Sequence, residues 1–118
     1  MNAREGSMDL WKDIMYISET LERSIRELKE RGAKYAQAEH DYRVKLSSRL
    51  TQLRAEGNPV THLADIAKGE PDTAKLRFDR DIAESLYKSC LEGINVYKVK
   101  LRVLENQLER EWGQAKRG

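Results

Sequence analysis

The chain has 118 residues, of which 36% are charged and 39% apolar; 22 basic side chains against 20 acidic ones leave a net charge of +2. That length holds one domain at most. A charge-rich chain with few aromatics and few breakers fits long solvated helices and argues against a sheet protein. The two signs alternate finely, as in Glu27-Leu28-Lys29-Glu30-Arg31, whereas a strong nucleic-acid binder gathers its positive charge on one face or tail. No apolar run approaches the roughly 20 residues that span a membrane, and the N-terminus lacks a signal-peptide core. Cys90 is the one cysteine, which rules out an intrachain disulfide and fits a reducing cytoplasm.

Residues 1–7 are polar and read as a disordered tail or a cloning scar, with Gly6-Ser7 ahead of an original start at Met8. The first long helix is expected over 8–56. Its apolar positions include Leu10, Ile14, Ile17, Leu21, Ile25, Leu28, Tyr35, Tyr42, Leu46, Leu50 and Leu53. Ile14, Leu21, Leu28, Tyr35 and Tyr42 keep a strict seven-residue repeat, the seam of a coiled coil. Gly32 interrupts that seam at a cost of roughly 1 kcal/mol, and the helix is expected to continue through it.

Gly57-Asn58-Pro59 ends this helix, with Gly57 as a left-handed cap and Pro59 unable to continue the ladder. Thr61 is expected to cap a short helix over 61–68 that Gly69 stops, with Leu63, Ile66 and Val60 over the tip. A second long helix is expected over 71–113, opened by Pro71 and Asp72. Its seam reads Phe78, Ile82, Leu86, Cys90, Ile94 (or Gly93), Tyr97, Leu101, Leu104, Leu108 and Trp112. Residues 114–118 are expected to fray. The fold class is therefore all-α: a long antiparallel, coiled-coil-like helical hairpin in a single domain over 8–113, with a short helix at its tip. Setting Gly57 opposite Asp72 fixes a register. It brings Tyr42 level with Tyr87, Tyr35 close to Ile94 and Tyr97, Gly32 close to Gly93 and Tyr97, and Trp11 beside Trp112 at the open end.

Catalytic chemistry finds little support. Glu39-His40-Asp41 are neighbours on a helix, point about 100° apart and cannot share one ion. His62 and Asp65 supply two ligands, fewer than a metal site needs. The pattern has no Glu-x-x-His for a di-metal bundle, no phosphate loop and no nucleophile elbow. Cys90 falls on the seam without a nearby base and reads as a small core residue. No catalytic, cofactor-binding or metal residue is therefore assigned, no cofactor is expected, and the chain reads as non-enzymatic.

Two segments carry a functional reading. At the tip, Thr61–Gly69 is weakly like the first helix of a helix-turn-helix, but no basic recognition helix follows, so a folded cap on the hairpin is the simpler account. At the open end, Trp11, Trp112, Arg110, Lys116 and Arg117 pair aromatics with basic residues, a combination used at protein interfaces and for stacking single-stranded bases. The tryptophans also suit closure of the seam. Val99 and Val103, with Val44, Leu76 and Leu91, lie beside the seam where one partner helix does not cover them. These leftovers point to a homo-oligomer, dimer or higher, or to another protein partner. Contact with nucleic acid is the weaker alternative.

From about Tyr35 onward the chain resembles short helical proteins encoded in bacteriophages and prophages of Gram-positive bacteria. The resemblance rests on Leu53-Arg54-Ala55-Glu56-Gly57-Asn58-Pro59-Val60-Thr61 and Asp65-Ile66-Ala67-Lys68-Gly69. It continues through Arg80-Asp81-Ile82-Ala83, Ile94-Asn95-Val96-Tyr97-Lys98 and Leu104–Trp112. It implies a protein of the host bacterial cytoplasm from an early or recombination-linked gene region. It implies no activity and carries over no site residues.

Overall fold

The computed structural model describes residues 3–117 and, for burial and side chains, residue 6 and residues 8–114. Helix α1 spans Ala3–Ala55, a 3-10 turn Val60–His62, α2 Leu63–Gly69 and α3 Pro71–Arg117. Every regular element among the described residues is helical, so the all-α expectation stands. Helix α1 passes through Gly32 unbroken. It begins ahead of Met8, and α3 runs past Gly113. Ala, Arg, Glu, Gln and Lys dominate these ends and favour the helix, and only a single glycine opposes it at each.

The chain divides into two compact units, Lys29–Lys88 and Met1–Leu28 with Ser89–Gly118. In the Lys29–Lys88 unit the end of α1 is a glycine-capped turn. Gly57 has φ +87°; its N–H donates to Arg54 O at 3.1 Å, and the Asn58 N–H donates to Leu53 O at 3.3 Å. That pair of bonds satisfies the last carbonyls of the helix, and the Asn58 side chain donates a further 3.0 Å bond to Leu53 O. The short helix differs from expectation. Pro59, with φ −58° and ψ 134°, feeds the 3-10 turn, so Thr61 lies inside that turn and α2 begins at Leu63 without a side-chain cap. Leu63 and Ala67 bury against Leu53, with Leu46 and Leu50 packed alongside. Val60 and Ile66 remain exposed.

Because α2 occupies the last turns of α1, α3 starts further down the hairpin than a tight turn would place it. Tyr35 faces Glu84, Glu39 faces Arg80 and Arg49 faces Glu70. These three pairs share one numerical sum, smaller than that of Gly57 and Asp72. The expected register is corrected accordingly. Tyr35, rather than Tyr42, meets Tyr87, with ring centroids 6.0 Å apart. Gly32 also faces Tyr87, where an added Cβ would stand 3.4 Å from the ring.

The inward face of α3 changes too. Leu76, Arg80, Ala83, Glu84 and Tyr87 turn inward, while Phe78, Ile82 and Leu86 are exposed, Phe78 to 62%. The reason lies across the seam. There α1 presents Tyr35, Glu39 and Tyr42, which suit a guanidinium and a carboxylate better than phenylalanine. Arg80 lies over the Tyr42 ring at 4.7 Å and pairs with Glu39 at 3.4 Å.

In the other unit the seam is apolar. Leu10, Ile14 and Ile94 are buried, and Ile17, Leu21, Leu28, Tyr97, Leu101, Leu104 and Leu108 are half-buried between the two helices. Cys90 takes a seam position, where its thiol donates to Ser24 O at 3.5 Å.

Candidate interaction surface

The seam of the unit formed by Met1–Leu28 and Ser89–Gly118 uses one stripe of each helix. A second row on α3, Val96, Val99 and Val103, keeps the same three-and-four spacing on a different face. No described residue covers it: Val99 is 57% exposed and Val103 55%. Beside this row, Tyr16 projects from α1 on the same side of the unit and is itself exposed. Together they make an apolar groove of about 380 Å³, lined by Asp13, Tyr16 and Ile17 from α1 and Val99, Lys100, Val103 and Leu104 from α3. Asp13 stands on the α1 side and Lys100 on the α3 side, with the Lys100 ammonium 5.8 Å from the Tyr97 ring centre.

Of the residues singled out from sequence, the structure brings Val99 and Val103 together in this groove. It does not join the tryptophans. Trp11 is 54% exposed and Trp112 59%. Gly6 faces Glu111, which sets Trp11 level with about residue 106 and so short of Trp112 by more than a turn of α3. Neither ring closes the seam. Arg110 is exposed on a shallow depression of α3 shared with Asn106, Glu109, Gly113 and Gln114. The side chains of Lys116 and Arg117 lie outside the described residues. Asp13, Tyr16 and Lys100 are absent from the sequence-derived set. The one signal for them was Tyr16 itself, a large aromatic next to a seam position and out of phase with it.

Several charged groups of the Lys29–Lys88 unit are engaged with one another. Hydrogen bonding from Arg43, with Arg80 nearby, holds the Glu39 carboxyl below the usual carboxylate range. Lys88, then Tyr35, does the same for Glu84, and Arg49 for Glu70. Lys88 and Tyr35 are raised in turn by their bonds to Glu84. Each shift moves its group away from neutral pH, opposite to what a general acid or base needs. A polar depression of about 330 Å³ at the tip, reaching from Lys45 to Thr73, contains the Arg49–Glu70 pair, whose charges cancel. Among the described residues no three His, Cys, Asp or Glu side chains gather as a metal site, and no helix is long and apolar enough to cross a membrane. Compared with known protein families, with curated proteins and with solved structures, the chain matches none of them.

Proposed function

We propose that this chain works without catalysis, by protein–protein contact, and that it associates with itself. The groove between Tyr16 and the Val99–Val103 row supports this reading. A small helical unit that leaves a contiguous apolar groove in water carries a surface suited to a partner. The engagement of Glu39, Glu70 and Glu84 in ion pairs supports the non-catalytic part. The resemblance to phage and prophage helical proteins supplies a setting, the cytoplasm of an infected or lysogenic bacterium. Light scattering at micromolar concentration is the test. A dimer or larger species is expected, and a monodisperse monomer with full helical signal would refute the self-associating role.

A second reading rests on Trp112 and Arg110, both exposed within one turn of α3. An exposed aromatic can stack on an unpaired base while a guanidinium elsewhere on the helix meets its backbone, although residues two apart on a helix do not share a face. This suits an accessory protein of phage DNA replication or recombination. Glu109 and Glu111 offset that charge, and affinity follows the number of phosphates neutralised. Titration of labelled single-stranded oligonucleotides at low salt tests it: saturable binding lost in W112A supports the reading, and no binding removes it.

A further inference from the structure

We infer that the occupant of the groove is a second copy of this chain, packed about a two-fold axis parallel to the helices so that α1 of each copy lies over α3 of the other. This rests on the self-associating role proposed above and specifies its geometry.

Shape and charge both lead there. The two sides of the groove are unlike. The α1 side offers one large knob, Tyr16, and one acid, Asp13; the α3 side offers two short β-branched side chains, Val99 and Val103, and one base, Lys100. A groove with a knob on one side and a notch on the other complements itself only when the sides exchange. An axis parallel to the helices makes that exchange and preserves the level of every residue. Gly6 faces Glu111 in its own chain, which sets Tyr16 level with about residue 101, so Tyr16 of one copy arrives between Val99 and Val103 of the other. Asp13 then comes within about a turn of Lys100, and the two-fold repeats both contacts. An axis perpendicular to the helices would stack α1 on α1, set knob against knob and leave both charges unmatched.

The charges give a test that separates this geometry from self-association in general. In a homodimer, D13K sets an introduced lysine against Lys100 twice, and K100D sets an introduced aspartate against Asp13 twice. Each variant alone should dimerise about tenfold more weakly than the parent, since two like-charge contacts replace two attractive ones. Mixed in equal amounts, the two variants should form a heterodimer tighter than either homodimer. One of its two contacts joins the unaltered Asp13 and Lys100, and the other joins the two introduced residues. The exchange of sides is read from the two homodimers together with the parent. With α1 over α1 the parent already sets like charges together, so neither reversal would weaken it and the heterodimer would exceed it. With the sides exchanged, each reversal weakens the dimer and the heterodimer returns to the parent's strength. In the heterodimer the variant D13K supplies Lys100 and the variant K100D supplies Asp13, so both contacts are again between opposite charges. Compensation inside one chain cannot produce that rescue. Circular dichroism of each variant should match the parent, as both positions are exposed. If the parent associates but the reversals leave its dissociation constant unchanged, or the mixture shows no heterodimer, this geometry is wrong and self-association stands. If the parent is a monomer, both fall.

Discussion

The Arg49 guanidinium holds both oxygens of the Glu70 carboxylate, Nε to Oε1 and Nη2 to Oε2, each at 2.7 Å. Glu70 is also where two helices meet. Its N–H donates to Ala67 O to close α2, and its carbonyl accepts from the Ala74 N–H to open α3. One residue thus ends α2, starts α3 and ties both to α1. A two-pronged pair of this kind is directional as well as attractive. E70A and R49A should each lower the melting temperature, and by more than R43A, whose pair with Glu39 lies on a single helix with Arg43 mostly in water. Adding R49A to E70A should cost little more, because the pair is already broken. Thermal melts of the three single variants and the double check both the ranking and the non-additivity.

The same pairs set the response to pH. Glu39, Glu70 and Glu84 have folded-state values lowered from the ordinary carboxylate value. Their contribution is therefore complete above that value and is lost as pH falls through the folded values. Tyr35 and Lys88 are raised, so their contribution is complete below the ordinary values, about 10 for tyrosine, and is lost as pH rises through the folded ones. Melting temperature should stay level around neutrality and fall on both sides. Y35F should flatten the alkaline fall, and E70Q the acid one, in melts recorded across a pH series.

How far these elements were legible depends on which residues make the seam. In the unit holding Leu10, Ile14 and Ile94, one apolar residue per turn faces the partner helix, and spacing alone finds it. Around Arg80 the same rule fails. Phe78, Ile82 and Leu86 are apolar and four apart, so periodicity selects them, although Tyr42 and Glu39 across the seam favour a guanidinium. Hydropathy cannot register an arginine that enters a seam by stacking on a ring and pairing with a carboxylate. The register failed for a related reason. Gly57 and Pro71 marked the break correctly, but the space α2 occupies against Leu53 cannot be read from turn residues. The groove was half legible: Val99 and Val103 stood out as surplus apolar residues, while Tyr16 and the Asp13–Lys100 arrangement required knowing the register.

Thr73 is fully buried at 0% exposure, and its hydroxyl has no hydrogen-bond partner. An orphaned buried hydroxyl carries its desolvation cost without recompense. T73V keeps the branched shape and removes the polar atom, so it should stabilise the fold by about 1 kcal/mol. T73A removes the hydroxyl and also a methyl group, leaving a void that offsets the gain. Urea denaturation of both variants distinguishes the cases: T73V should exceed the parent, and T73A should fall below T73V.

Two glycines in the Lys29–Lys88 unit should respond in opposite directions to the same substitution. Gly32 has helical backbone, and a Cβ there would stand 3.4 Å from Tyr87 Cε2, an ordinary contact. G32A should therefore recover helix propensity, a gain of up to about 1 kcal/mol. A longer side chain at the same place has the Tyr87 ring in its path, so G32L should destabilise. Gly57 has open space around it, with nothing within 4 Å of an added Cβ, yet its φ of +87° lies in the left-handed region. G57A should cost roughly 1–2 kcal/mol through backbone strain alone, loosening the Asn58-to-Leu53 bond that ends α1. Steric room thus predicts the wrong order for the two sites, and backbone conformation predicts the right one. Equilibrium denaturation of G32A, G32L and G57A decides between these accounts; a G57A variant as stable as the parent would show that the cap at the end of α1 contributes nothing.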